Sequence, residues 1–190
     1  MNETRQEILR VAMAHFSAME YPMVNLEAIA AEAHVTRAPL YYYFRNKEGL
    51  YRAVVEASIE EARSRLDALL SADENIFEII HKEYAYCVHD IGQYRRLWNP
   101  GPGAPDCGAQ IHEFLQWLVD RKLEIFAAAQ RRGELPEECD VSELVTLIYV
   151  FYDGVLDTLQ SSRQLNGFNR ELLMNSDAWF MRIVRSRFGG

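Results

Sequence analysis

Residues 25–50 of this 190-residue chain, NLEAIAAEAHVTRAPLYYYFRNKEGL, contain four consecutive aromatic residues close to a proline. Four aromatic residues in a row favour a β-strand, but the neighbouring Pro39 argues against a central strand because proline cannot donate a ladder hydrogen bond. With Thr36 as the N-cap, Pro39 falls at the third position of a helix, where a backbone N–H would have no intrahelical acceptor. The stretch therefore predicts a helix that begins at residue 37.

A second short helix precedes this one. Asn25 is a favourable N-cap for a helix over 26–33, and His34-Val35 form a tight turn after it. Two short helices joined by such a turn, at 26–33 and 37–43, make a helix-turn-helix. In this motif the second helix enters the DNA major groove with its N-terminal residues toward the base edges. The sequence therefore favours DNA as a partner.

The helical period sorts the side chains of the second helix by face. Leu40 and Phe44 share the inner face, so they are predicted to hold the helix in the core. Arg37, Ala38 and Tyr42 are the outward groups and are predicted to face bases. Tyr41 and Lys47 lie on the flanks, where a hydroxyl and an ammonium suit phosphate oxygens.

The charge of the chain agrees with this interpretation once it is divided along the sequence. The formal net charge is −8, but residues 1–52 hold six basic and six acidic residues and are neutral. Within 34–52, four basic residues stand against Glu48 alone, a local charge of +3. A basic area on a neutral N-terminal module can bind phosphate although the whole chain is acidic.

The rest of the chain has helical periodicity throughout. The predicted helices are 4–19, 26–33, 37–43, 47–70, 74–97, 109–131, 141–162 and 169–187, with breaks at 99–108 and 133–138. The helix over 141–162 has two apolar rows and is expected to be buried on two sides. The fold class is therefore predicted to be all-α, with about nine helices.

Three motifs in residues 5–55 resemble the DNA-binding domain of the tetracycline-repressor (TetR) family. They are RxxILxxAxxxF at 5–16, NLxxIAxxAxVT at 25–36 and LYxYFxNKExL at 40–50. By position, the resemblance implies phosphate contacts for Asn25, Thr36, Tyr41 and Lys47, and base contacts for Arg37, Ala38, Pro39 and Tyr42. Glu20 and His34 stand where the family usually has glycine, and Pro39 replaces a frequent Thr or Ser.

The resemblance also implies a domain organisation and partners. Residues 1–46 would form the DNA-binding domain, and residues 47–190 the ligand-binding and dimerisation domain. Such proteins are homodimers, here through about 141–162 and 169–187, that bind a palindromic double-stranded operator. A small molecule in the C-terminal domain releases the repressor. Whether this chain represses or activates stays open, because that depends on the position of the operator.

Eight residues of the C-terminal helices are candidates for lining the effector pocket. They are Tyr84, Cys87, Ile91, Phe114, Trp117, Leu118, Tyr149 and Tyr152. Aromatic stripes at helical spacing are also found in ordinary cores, so both interpretations stay open. The tyrosines and the tryptophan favour a largely apolar effector. The loop 99–108 is either a lid of the pocket or a plain connection.

Other classes of function are not supported by the sequence. No apolar run of about 18 residues and no signal peptide is present, so we expect a cytoplasmic protein with no membrane partner. Cys87, Cys107 and Cys139 have no CxxC spacing, and neither cysteines nor histidines suggest a metal site; a thiol sensor at Cys87 or Cys107 stays open. No catalytic motif is found, so we expect no enzyme and no cofactor. The competing class is a helical enzyme or small-molecule carrier whose N-terminal bundle is structural.

Overall fold

The computed structural model describes residues 3–71, 73–161, 173 and 176–188, with the backbone alone for Ile91, Gln93, Gln160 and Ser161. Within these ranges the chain forms nine α-helices, two 310 helices and no strand, which confirms the all-α prediction. The α-helices are α1 (Glu3–Ala18), α2 (Leu26–Glu32), α3 (Arg37–Phe44), α4 (Lys47–Leu70), α5 (Ile76–His89), α6 (Arg95–Trp98), α7 (Gly108–Arg131), α8 (Val141–Ser161) and α9 (Asp177–Phe188). The 310 helices are Tyr21–Met23 and Ile91–Tyr94.

The prediction of one continuous helix over 74–97 is wrong. The α-helix ends at His89, and the chain continues through the 310 helix Ile91–Tyr94 into α6. Gly92 lies inside this interruption, and glycine costs roughly 1 kcal/mol relative to alanine within a helix. A Cβ on residue 92 would also lie 3.1 Å from Cδ2 of Leu156, which favours glycine at this position.

The chain divides into two compact units. Unit 1 consists of Met1–Arg63 with Gln93–Phe114, and unit 2 of Ser64–Gly92 with Leu115–Gly190. The helices α4 and α7 each contribute residues to both units. The boundary between the predicted functional domains at 46/47 remains a prediction. The compact units instead divide within α4, after Arg63, and within α7, after Phe114.

The core of unit 1 is built from the inner faces of α1 to α4. Ile8, Ile29, Leu40 and Leu50 are all buried in it. The Tyr51 ring meets the rings of Phe16 and Tyr21 edge to face, with centroids 5.1 and 5.2 Å apart. The Tyr51 hydroxyl donates to the carbonyl oxygen of Leu97 at 2.7 Å, so α6 joins this core.

The core of unit 2 brings α5, α8 and α9 together through aromatic rings. The Phe151 and Phe180 rings are stacked, with centroids 3.9 Å apart. The Tyr84 ring lies 5.3 Å from that of Tyr152 and 6.2 Å from that of Phe180. Because these rings come from three helices, they fix the packing of the helices in this unit.

The two apolar rows of α8 differ in burial within the single chain. The first row is buried at Val145, Ile148, Tyr152, Val155 and Leu159, while its Tyr149 is 40% exposed. The second row consists of Leu144, Leu147, Phe151, Gly154 and Thr158. Only Leu144 is buried; the other four are half-buried or exposed. One side of α8 is therefore left partly open in the isolated chain.

Candidate nucleic-acid interface

The first helix of the helix-turn-helix is capped at both ends. At its start, Oδ1 of Asn25 accepts a hydrogen bond from the Glu27 N–H at 2.8 Å, as predicted for an N-cap. At its end, His34 has φ 55°, and the N–H groups of His34 and Val35 donate to the carbonyls of Ala31 and Ala30 at 3.1 and 2.9 Å. This pattern is a Schellman motif, in which the left-handed residue usually is glycine. His34 thus takes the conformation expected of the glycine it replaces.

The other substitution at a family glycine has a different outcome. Glu20 has φ −63° and ψ 144°, an extended conformation that every residue adopts. The turn after α1 therefore does not need glycine.

The second helix, α3, presents a face of exposed side chains. Arg37 and Ala38 are exposed, Tyr41 is 47% exposed and Tyr42 is 82% exposed, whereas Pro39 is half-buried. Leu40 and Phe44 are buried, as their spacing predicted. Thr36 occupies the N-cap position, but its side chain makes no capping hydrogen bond, contrary to expectation. The rings of Tyr41 and Tyr42 are therefore both open to solvent on this helix.

Arg37 is already paired in the free protein. Its guanidinium donates to Oε1 of Glu27 across the turn, and both side chains are exposed. The ion pair holds the side chain of Arg37 against α2 and offsets part of the local positive charge. This contact links α2 to α3 and was not predicted from the sequence.

The joint between α3 and α4 has an unusual backbone. Arg45 has φ 62° and ψ −48°, and the Asn46 N–H donates to the Phe44 carbonyl oxygen at 2.7 Å. These values define a γ-turn, a strained conformation for a residue with a side chain. Oδ1 of Asn46 then accepts a hydrogen bond from the Gly49 N–H at 2.7 Å and caps the start of α4.

Lys47 occupies a partly enclosed position at the start of α4. Its Nζ donates to the carbonyl oxygen of Pro22 at 3.1 Å and lies 4.7 Å from the centroid of the Tyr21 ring. Burial lowers the pKa of Lys47. An ammonium has three donors, so this arrangement orients the group and leaves capacity for a phosphate oxygen.

The structure brings some of the predicted effector residues together and separates others. In unit 2, Tyr84, Cys87, Leu118 and Tyr152 are buried, and the Tyr84 and Tyr152 rings are in contact. Trp117 is half-buried, and Tyr149 points to the surface of α8. Phe114 is buried but belongs to unit 1, where its ring contacts Trp98. The side chain of Ile91 lies outside the described part of the chain.

A buried ion pair among these residues was missed by the sequence analysis. Nζ of Lys122 lies 2.6 Å from Oε1 of Glu83, and the two side chains are 3% and 0% exposed. The Lys122 ammonium also lies 5.1 Å from the centroid of the Tyr152 ring. Burial raises the pKa of the Cys87 thiol and that of Tyr152, and the nearby charge of Glu83 adds to both shifts.

The positions of Glu83 and Lys122 in the sequence could have indicated that both charges are buried. Glu83 lies four residues from Ile79 and from Cys87, and Lys122 lies four residues from Leu118 and from Phe126. Each charge therefore occupies the inward row of its helix.

The described ranges contain neither a metal-binding cluster nor a membrane-spanning helix. No group of three or more His, Cys, Asp or Glu side chains there is placed to hold a metal ion. None of the helices that the structure describes is both long and apolar enough to span a membrane.

The comparisons with known proteins agree with this geometry. Residues 8–54 match the family described as bacterial regulatory proteins, tetR family. The matched residues hold the helix-turn-helix described above, so this part of the chain is similar to the DNA-binding domain of that family.

Individual relatives extend the similarity beyond the predicted DNA-binding domain, residues 1–46, which is called the head below. The HTH-type transcriptional repressor ComR of Escherichia coli (strain K12) is 29% identical over 162 residues, which cover 80% of this chain and 77% of ComR. The probable HTH-type transcriptional regulator ArpR of Pseudomonas putida is 28% identical over 181 residues, covering 81% and 79%. A regulator from Saccharomonospora viridis, crystallised in complex with choline, has the same fold with a TM-score of 0.80 at 16% identity over the full length of both chains.

Proposed function

We propose that the chain is a homodimeric repressor that binds a palindromic operator and is released from it by a small molecule. The observation that carries the proposal is the exposed face of α3, which presents Arg37, Ala38, Tyr41 and Tyr42. The turns at His34 and Arg45, both with positive φ, flank this helix. The relative ComR is a named repressor, which supports repression over activation.

Within this proposal the residues of the head have two roles. Arg37, Ala38, Pro39 and Tyr42 face the base edges, and Asn25, Thr36, Tyr41 and Lys47 contact phosphates. The Asn25 oxygen is used as a cap, but its NH2 group remains a donor. The hydroxyl of Thr36 is not used for capping, which suits a phosphate contact.

Dimerisation is proposed through the helices over 141–162 and 169–187, of which the structure describes α8 and α9. The partly open second row of α8 supports this assignment. On α9, Trp179 and Ile183 are 38% and 49% exposed, although both are large and apolar. An apolar side that is open in one chain is what a two-fold interface requires.

Effector control is proposed to act by a population shift. The helix α4 begins at the proposed phosphate contact of Lys47 and continues to Leu70, so one continuous helix contributes to both proposed functions. The two heads of a dimer must be about 34–36 Å apart to enter successive major grooves. An effector that prefers another spacing weakens DNA binding by its differential affinity for the two states. Choline in the S. viridis regulator supports a small-molecule effector.

The proposal is tested by selecting bound sequences from a random double-stranded DNA pool. We expect palindromic sites whose affinity falls steeply between two salt concentrations. Arg37→Ala should weaken binding and relax preference at one base position, by about 1–3 kcal/mol. Arg131→Ala, which removes the same charge from the exposed end of α7, is the matched control and should leave preference unchanged.

One outcome would decide against the proposal, and another against the base contact assigned to Tyr42. The absence of salt-sensitive, sequence-specific binding would favour the competing helical carrier or enzyme with a structural N-terminal bundle. A uniform loss of affinity on all sequences for Tyr42→Ala would make Tyr42 a phosphate contact rather than a base contact.

A further inference from the structure

The Glu83 carboxylate is buried without the hydrogen bonds that such a group needs. The Lys122 ammonium lies 2.6 Å from Oε1 of Glu83, whereas Oε2 has no hydrogen-bond partner among the residues that the structure describes. Buried polar groups are almost always hydrogen-bonded, and each exception calls for an explanation. A bound ligand that donates a hydrogen bond to Oε2 of Glu83 would satisfy this group.

Stability does not explain the pair. Taking two charges out of water is costly, and apolar residues of similar size often give an equal or greater stability at such positions. Glu83 and Lys122 lie among aromatic rings, where the penalty for an unsatisfied carboxylate is large. A role in binding is therefore the better physical account of why both charges are present.

The neighbouring hydroxyls are already engaged. The Tyr152 hydroxyl donates to the Ile80 carbonyl oxygen at 2.9 Å, and the Tyr84 hydroxyl is paired with the side-chain oxygen of Ser176. Oε2 of Glu83 is therefore an acceptor without a hydrogen-bond partner among the described residues. The rings of Tyr84 and Tyr152 supply apolar surface nearby.

The charges select the class of ligand. Glu83 and Lys122 together are neutral, so a neutral ligand adds no net charge to the buried cluster. A cationic ligand would place a second positive charge beside Lys122, and an anionic ligand would be repelled by Glu83. A neutral molecule with an N–H or O–H donor satisfies the free carboxylate oxygen at no such cost.

We propose that Glu83, held by Lys122, is a specificity-determining residue of the effector site and selects neutral, largely apolar molecules that carry an N–H or O–H donor. The inference rests on the proposed function, since it assigns the polar contact of the same effector site. It adds two residues that the sequence analysis did not include among the lining residues.

The test uses the full chain and four small probes of nearly equal shape. Toluene has no donor, benzyl alcohol is a neutral donor, benzylammonium is a cation and benzoate is an anion. Binding is followed by protein-observed NMR titration, which also locates the perturbed residues. We expect benzyl alcohol to bind roughly tenfold more tightly than toluene, as one hydrogen bond to a charged group contributes, and more tightly than both ions.

Two double variants separate the acceptor from the charges. Glu83→Gln/Lys122→Met keeps an acceptor oxygen, whereas Glu83→Leu/Lys122→Met removes it; both remove the pair, which apolar replacement tolerates. The ratio of the toluene to the benzyl alcohol dissociation constant should be smaller in the first variant than in the unmodified chain, but still above one. In the second variant this ratio should be about one. Thermal unfolding confirms that each variant is folded, and the four-probe comparison on the unmodified chain stands independently of both.

The outcomes are distinct from those of the DNA-binding test. A preference for either ion, perturbations away from α5, α7 and α8, or no binding of any probe near Glu83 would overturn the inference. With sequence-specific DNA binding intact, those results leave the proposed function standing. The loss of DNA binding with the benzyl alcohol preference retained would instead refute the regulator and keep the assignment of Glu83 as a ligand contact.

Discussion

Gly49 lies directly against the carbonyl oxygen of Phe44, and a Cβ on residue 49 would be 2.2 Å from that oxygen. Real Cβ atoms essentially never come this close to an oxygen atom, and the atom in the way is backbone. The joint between α3 and α4 therefore needs glycine because of a close approach rather than a special φ. The absence of a side chain on residue 49 therefore lets the end of α3 approach the first turn of α4 closely.

Gly49→Ala should therefore destabilise the protein by about 1–3 kcal/mol, the usual cost of overpacking. It should also weaken DNA binding, because the end of α3 must move. Thermal unfolding and DNA titration measure both effects. Gly101→Ala is the control, since a Cβ there meets nothing within 4 Å. Equal unfolding temperatures for the two variants would show that the joint tolerates a methyl group.

Arg45→Gly should raise the free energy of unfolding by about 1 kcal/mol, because glycine adopts positive φ without strain. Arg45→Ala is the matched control: it removes the same charge but keeps the Cβ, so it should bring no such gain. Denaturant unfolding of the two variants gives the comparison. A stability gain for alanine equal to that for glycine would mean that charge, not backbone strain, is responsible.

Glu27→Gln should increase DNA affinity roughly fivefold, since it frees Arg37 from its ion pair while folding stability changes by less than about 1 kcal/mol. Glu7→Gln is the control, because Glu7 forms a comparable exposed pair with Arg10 on α1. Both variants remove one negative charge from the head. Only Glu27→Gln should change preference at the base that Arg37 faces; identical selectivity profiles would contradict a base contact for Arg37.

Glu134 should make stability depend on acidic pH. Burial raises its pKa, but hydrogen bonds from Arg132 and from the Ile76 N–H, both at 2.6 Å, outweigh burial and lower it. Because the folded-state pKa lies below the unfolded value, the stabilisation is full above the unfolded pKa and is lost as pH falls through the folded one. Unfolding free energies measured from neutral to acidic pH should decline less steeply for Glu134→Gln. Parallel curves would exclude this contribution.

Ile183→Glu should weaken the homodimer, because it places a charge on the apolar side of α9 that we assign to the interface. Sedimentation velocity at several concentrations reports the shift toward monomer, and affinity for a palindromic site should fall with it. Arg182→Glu, at the neighbouring exposed position, is the control. An unchanged dimer in the Ile183 variant would move the interface elsewhere.

Local features of the sequence were enough to predict the helix-turn-helix. The caps at Asn25 and Asn46, the inward pair Leu40 and Phe44, and the left-handed residue His34 all act within about four residues along the chain. Such interactions are readable from spacing alone. The bounds of α4 follow in the same way, since 47–70 was predicted and is observed.

Contacts between distant residues needed the tertiary structure. Periodicity places Glu83 and Lys122 on inward rows, but it does not show that the two charges meet across 39 positions or that a carboxylate oxygen is left unsatisfied. The pairing of Arg37 with Glu27 and of Lys47 with the Pro22 carbonyl is hidden for the same reason. Local spacing was enough for the bounds of most helices, whereas the class of regulator followed from the resemblance of residues 5–55 to a known family. Which side chains meet is visible only in the folded chain, because packing brings together residues whose separation along the sequence carries no information about contact.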